Sequence, residues 1–127
     1  MAPGDVPDKP TEVDSARELG GIGSRVIYED DRVRVWFLKL APGERSAIHR
    51  HDHDHLLVQI RGDRVTVVPE ADSAGPYNQI YEGEVDPGMV TFVPAGGIET
   101  ALNTGDERYH EVIVELKQSV DSNGERS

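Results

Sequence analysis

Cysteine is absent from this 127-residue chain, which excludes disulfides and thiolate metal ligands and leaves nitrogen and oxygen donors for any metal. Positive charge is scarce. Thirteen lysines and arginines stand against 24 aspartates and glutamates, a formal net charge of −11. Such a surface repels nucleic-acid phosphates and anionic membranes, so neither is expected as a partner. No apolar run approaches the ~20 residues of a membrane-spanning helix. The opening Met1–Asp5 lacks the basic and apolar regions of a signal peptide, so a cytoplasmic protein is expected. Sustained 3.6-residue periodicity is missing too, which argues against helices of useful length.

What is present reads as strands. Arg25–Glu29 and Val33–Leu40 are β-branched and aromatic, with Asp30-Asp31 as the turn between them. Leu56–Ile60 and Arg64–Val68 flank Arg61-Gly62-Asp63, a tight-hairpin signal. Tyr77–Glu82, Val90–Val93, Thr100–Leu102 and Tyr109–Leu116 complete the set, with Asn103–Asp106 as another turn. Many short strands in one small all-β domain imply a sandwich or a closed barrel. Residues 1–22 carry three prolines, five acids and few large apolar side chains, so a disordered tail is expected there. A second polar tail is expected at 119–127, leaving 23–118 as the domain.

Four of the five histidines fall in His49-Arg50-His51-Asp52-His53-Asp54-His55, at every second position. Along an extended strand residues two apart share a face, so several imidazoles can aim at one point. A metal ion needs that convergence, although a solvated His-rich turn has the same composition. Asp52 and Asp54, of opposite parity, are expected to face solvent.

The spacing extends further. Gly43 is followed by five residues, His49 and His51, three residues, His55, six residues and Gly62. Gly88 is followed by five residues, Pro94-Ala95-Gly96, two residues, Glu99, three residues and Asn103. These two gapped motifs resemble those of the cupin superfamily, and the strand content extends the resemblance over roughly residues 25–117. Arg32–Trp36 and Val112–Lys117 look similar to small bacterial cupins of the β-alanine-degradation-associated type. The resemblance implies a double-stranded β-helix, the jelly-roll barrel, with the motif residues converging inside it. Cupins usually carry Glu where this chain has His55, and His where it has Glu99. Two ligands have exchanged places, and the set of three imidazoles and one carboxylate is retained. Were the second motif to slip by one residue, Thr100 would replace Glu99.

The implied metal site is therefore His49, His51, His55 and Glu99, holding one divalent transition metal. Fe is the expected ion, with Mn, Ni, Co and Zn as alternatives. Its open positions imply an enzyme on a small-molecule substrate, foremost an Fe(II)-type dioxygenase acting on a chelating organic molecule. Lewis-acid lyase or isomerase chemistry with Zn, Mn or Ni is the alternative, as is a non-catalytic metabolite- or metal-binding module. Candidate catalytic groups are Gln59, which shares the parity of His55, together with Tyr109 and His110. His53 is expected in a turn facing solvent. A small barrel with open edges is expected to form a homodimer.

Overall fold

The computed structural model describes residues 6–117, so residues 1–5 and the expected tail at 119–127 lie outside it. Nine strands and no helix occur among the described residues: β1 (Arg25–Glu29), β2 (Val33–Leu40), β3 (His49–Arg50), β4 (His55–Arg61), β5 (Arg64–Pro69), β6 (Tyr81–Glu84), β7 (Val90–Val93), β8 (Ile98–Leu102) and β9 (Tyr109–Leu116). They form a five-stranded sheet, β1-β2-β9-β4-β7, and a four-stranded sheet, β3-β8-β5-β6, with every pairing antiparallel. This is the all-β double-stranded β-helix. No described helix is long and apolar enough to cross a membrane.

The central strand shows how side-chain alternation builds the interior. Along β9 the residues alternate between buried and half-buried, with Tyr109, Glu111, Ile113 and Glu115 inside. Ile113 and Tyr109 join Leu38, Leu40, Val65 and Ile22 in the buried cluster, flanked by Trp36, Leu57 and Ala101. β-Branched residues suit the ladder because their stiff χ1 packs well on a pleated surface. Two inward glutamates on β9 break that pattern. Glu115 is satisfied by the Trp36 indole at 2.5 Å and by Arg34 at 3.6 Å.

Three expectations shift. Arg61-Gly62-Asp63 joins strands in different sheets: β4 pairs with β7 and β9, β5 with β6 and β8. It is a crossover rather than a hairpin. Gly62 has φ +135°, and a Cβ there would meet the Tyr109 ring at 2.9 Å. Asp63 accepts from the backbone amides of Asp106 and Glu107, which steers the chain away from β4. β6 begins four residues later than expected, after a loop in which Gly75 presses on Gly97. The histidine run is not one strand: β3 holds His49, residues 51–54 turn, and β4 begins at His55.

The segment expected as an N-terminal tail makes specific contacts within its described part. Ile22 is buried in the core cluster, and the Gly20 amide donates to the Ile48 carbonyl. The Arg17 guanidinium grips Asp72 at 2.7 Å and Glu70 at 3.0 Å.

Candidate metal centre

Three donors meet at one place. His49, His51 and Glu99 are all buried, and one ligand atom from each lies within 4.8 Å of the other two. His49 sits directly opposite Glu99 across the β3–β8 pair, so the register fixes two of the three. His51 lies just beyond β3, and the second motif clamps its backbone. The His51 amide donates to the Gly97 carbonyl at 2.8 Å, and the Gly96 amide donates to the His51 carbonyl at 2.9 Å. Gly96 takes φ +113°, a conformation L side chains rarely adopt. The neighbouring Ala95 amide donates to the Asp54 carboxylate at 2.8 Å, so Asp54 staples the turn instead of facing water. Asp52 is exposed and pairs with Arg50.

The chemistry of the donors suits a divalent ion. A metal takes the lone pair of a neutral imidazole, and the other ring nitrogen then donates elsewhere. The His49 Nδ1 lies 2.8 Å from the Ala47 carbonyl, and the His55 Nδ1 lies 3.0 Å from the His53 carbonyl. A carbonyl only accepts, so both rings carry the proton on Nδ1 and present Nε2 as a lone pair. Burial, reinforced by the neighbouring His51, drives the His49 pKa down to about 4 and lowers that of His55. Both rings are therefore neutral at pH 7. The His51 Nε2 lies 3.1 Å from Glu99 Oε1. Two donors each about 2.1 Å from a shared ion can stand no more than about 4.2 Å apart, so this pair could reach one ion. Gly97 leaves room beside them, since a Cβ there would come within 3.3 Å of Glu99 Oε2.

His55 belongs to the cluster but not to its tightest part. It is 1% exposed and stacks on His51 with ring centroids 3.9 Å apart. Its Nε2 is buried with no hydrogen-bond partner among the described residues, yet falls outside the three-donor group. His53 is half-buried and contributes its carbonyl, not its ring. Thr100 faces away from Glu99 by strand alternation.

His49, His51 and Glu99 line a cavity of about 170 Å³. Its walls include Leu38, Leu57, Val67, Met89, Ala101 and Ile113. Gln59 and Tyr109 line it as well, whereas His110 does not. His110 packs on Phe37 with ring centroids 5.4 Å apart, on the other face of β9. One lining residue was not anticipated: Glu111, whose carboxyl accepts the Tyr109 hydroxyl at 2.6 Å. Burial raises the Glu111 pKa to about 7, and burial beside that carboxyl pushes the Tyr109 phenol far up. A buried glutamate at an inward β9 position was the available signal.

A family model described as auxin binding protein matches residues 6–119. Two auxin-binding proteins of Nicotiana tabacum are each 26% identical, over 98 and 93 residues, covering 76% and 72% of this chain. Those stretches are 52% and 49% of the relatives, so the chain spans about half their length. Among solved structures, a cupin domain from Bordetella pertussis superposes with a TM-score of 0.62 at 20% identity, covering 73% of this chain and 90% of that one. A double-stranded β-helix protein from Klebsiella pneumoniae gives 0.57 at 17% identity, covering 92% and 88%. The fold is that of the cupin superfamily.

Proposed function

The chain belongs to the auxin binding protein family of cupins, and from that premise we propose that it holds a divalent metal and uses it to bind a small organic acid inside the barrel. His49, His51 and Glu99 hold the ion, with His55 as the fourth donor. The observation that carries this reading is the union of buried neutral imidazoles and a carboxylate with an apolar cavity of ligand-accepting shape. When bound, the ion supplies a Lewis-acid centre with open positions for ligand oxygens, and redox chemistry if it is Fe(II). The protein does the rest: the apolar walls exclude water and receive the ligand body, and the backbone carbonyls of Ala47 and His53 hold the ring tautomers. The names of the tobacco relatives support a small-molecule ligand.

Elemental analysis beside calorimetry tests this. Near-stoichiometric metal in wild type, lost in His51→Ala and Glu99→Ala, with binding of small aromatic carboxylates that disappears on chelation, is the expected result. Metal-free protein after reconstitution, or acid binding indifferent to metal, refutes it.

A second reading, Fe(II)-dependent dioxygenation of the bound acid, is favoured by the protonatable Glu111–Tyr109 pair facing the same cavity. Oxygen uptake by the Fe(II)-reconstituted protein with a chelating substrate tests it, and none with any such substrate sinks it. We further propose a homodimer through the β1 edge, where Val26, Ile27 and Tyr28 are 42%, 44% and 55% exposed. Size-exclusion chromatography with light scattering decides, a clean monomer being the negative result.

A further inference from the structure

The cavity has a second polar feature beyond its metal-ligating residues. Tyr109 and Glu111 are 1% and 7% exposed, and both face the cavity. A directed chain of hydrogen bonds ends on Glu111. The Asp86 amide donates to Gln59 Oε1 at 3.0 Å, which fixes the orientation of that side-chain amide. Gln59 Nε2 then donates to the Tyr109 hydroxyl at 3.4 Å, and that hydroxyl donates to Glu111 Oε1 at 2.6 Å. Each proton in the relay points toward the carboxyl. Glu111 Oε2 has no hydrogen-bond partner among the described residues. That oxygen is not one of the enclosed atoms left without a partner, so it is open to the cavity and offers its lone pairs to a ligand donor there.

We propose that Glu111 is a specificity-determining residue that accepts a hydrogen bond from an N–H or O–H group on the body of the bound acid, with Tyr109 and Gln59 as its positioning residues. The ligand class is accordingly a bifunctional acid: a carboxylate for the metal and a hydrogen-bond donor on an otherwise apolar frame. This rests on the metal-anchored reading above. Phase and direction of the relay argue for a donor on the ligand: the Tyr109 proton is already committed to Glu111, and the Gln59 amide is committed to Tyr109. Burial raises the Glu111 pKa to about 7, so calorimetry above that pH reads the ionised carboxylate, the form that accepts from the ligand.

The test is calorimetry on Zn²⁺-loaded full-length protein with phenylacetate, 3- and 4-hydroxyphenylacetate, and their methoxy counterparts, which can accept but not donate. Wild type is expected to prefer at least one hydroxy acid over phenylacetate by about tenfold, with no gain from methoxy. Glu111→Leu should reduce that preference to about one, the ratio being read within each variant so that any change in phenylacetate affinity cancels. Glu111→Gln, which keeps the size and a weaker neutral acceptor, should reduce it at least threefold, and it carries the test if the leucine variant does not fold. Tyr109→Phe should lower the preference without abolishing it. Phenylacetate binding with no hydroxyl preference, or a preference that survives in both Glu111 variants, overturns this inference alone. Failure of every probe to bind the loaded protein overturns the metal-anchored reading, and this one with it.

Discussion

Replacing His55 with leucine should have opposite consequences with and without metal. His55 is 1% exposed, and its Nε2 has no partner among the described residues. An unsatisfied buried polar atom costs about 1–3 kcal/mol. Leucine is close in volume and removes that atom, at the loss of the Nδ1 bond to the His53 carbonyl, worth about 1 kcal/mol. In chelator, His55→Leu should therefore lie between unchanged and about 2 kcal/mol more stable than wild type. At a metal concentration about 1,000 times its Kd, wild type gains about 4 kcal/mol by linkage. A variant binding about 100-fold more weakly gains only about 1.4 kcal/mol under the same conditions. The order of stabilities then inverts, separating the melting points by roughly 3–10 °C in favour of wild type. Urea unfolding in EDTA and in excess Zn²⁺ or Mn²⁺ reads both states. An equal stability difference under the two conditions would refute coordination by His55.

Metal-free protein should show compensating pH effects. His49, with a folded pKa near 4 against about 6.5 unfolded, binds fewer protons when folded, so its share of stability is complete above 6.5 and lost as pH falls toward 4. Glu111 has the opposite sign: its folded pKa near 7 exceeds the unfolded value, so stability is lost as pH rises from about 4.5 to 7. Each shift is on the order of 3 kcal/mol, so wild type should change less with pH across that window than Glu111→Gln, in which the His49 and His55 contributions rise unopposed; urea titrations read both, and equal profiles would count against the buried-carboxyl account. Asn103→Ala should cost about 2–4 kcal/mol, because its buried amide donates to the Leu40 and Glu107 carbonyls and accepts from Gly105; denaturant midpoints check this. Gly97→Ala should weaken metal affinity at least tenfold with little change in the chelated protein's melting point, since the added methyl crowds Glu99 Oε2; competition with a chromogenic chelator measures it.

Spacing made the fold legible, and with it the cluster of His49, His51 and Glu99. Gly43, Gly62, Gly88 and Gly96, all of them glycines of the two motifs, are the four residues with positive φ among those described, so their positions were legible as backbone requirements. Glu99 was legible by its place in the second motif, and β8 alternation keeps it on the side of His49. Parity misled where neighbouring chemistry overrode it. On β9 the more apolar face, Val112, Val114 and Leu116, follows His110 and points away from the cavity, while Glu111 and Glu115 point in. Glutamates read as solvent-facing unless their partners are known, and those partners, Tyr109 and Trp36, act through three-dimensional contacts. Arg17 and Ile22 were hidden for a similar reason: a proline- and acid-rich segment gives no local sign that one apolar and one basic residue are enough to dock it. Asp54 hid in the same way, since its partner is a backbone amide more than 40 positions along the chain.

The clamp between His51 and Gly96–Gly97 sets the order of events in assembly. His51 and Glu99 are 48 residues apart, and their approach requires both sheets and the crossovers between them. Closing such non-local contacts is the slow part of folding an antiparallel barrel. An ion would therefore find its complete donor set only once those contacts have closed. Metal bound that late would act on the exit rather than the entrance, retarding unfolding while leaving the refolding rate nearly untouched.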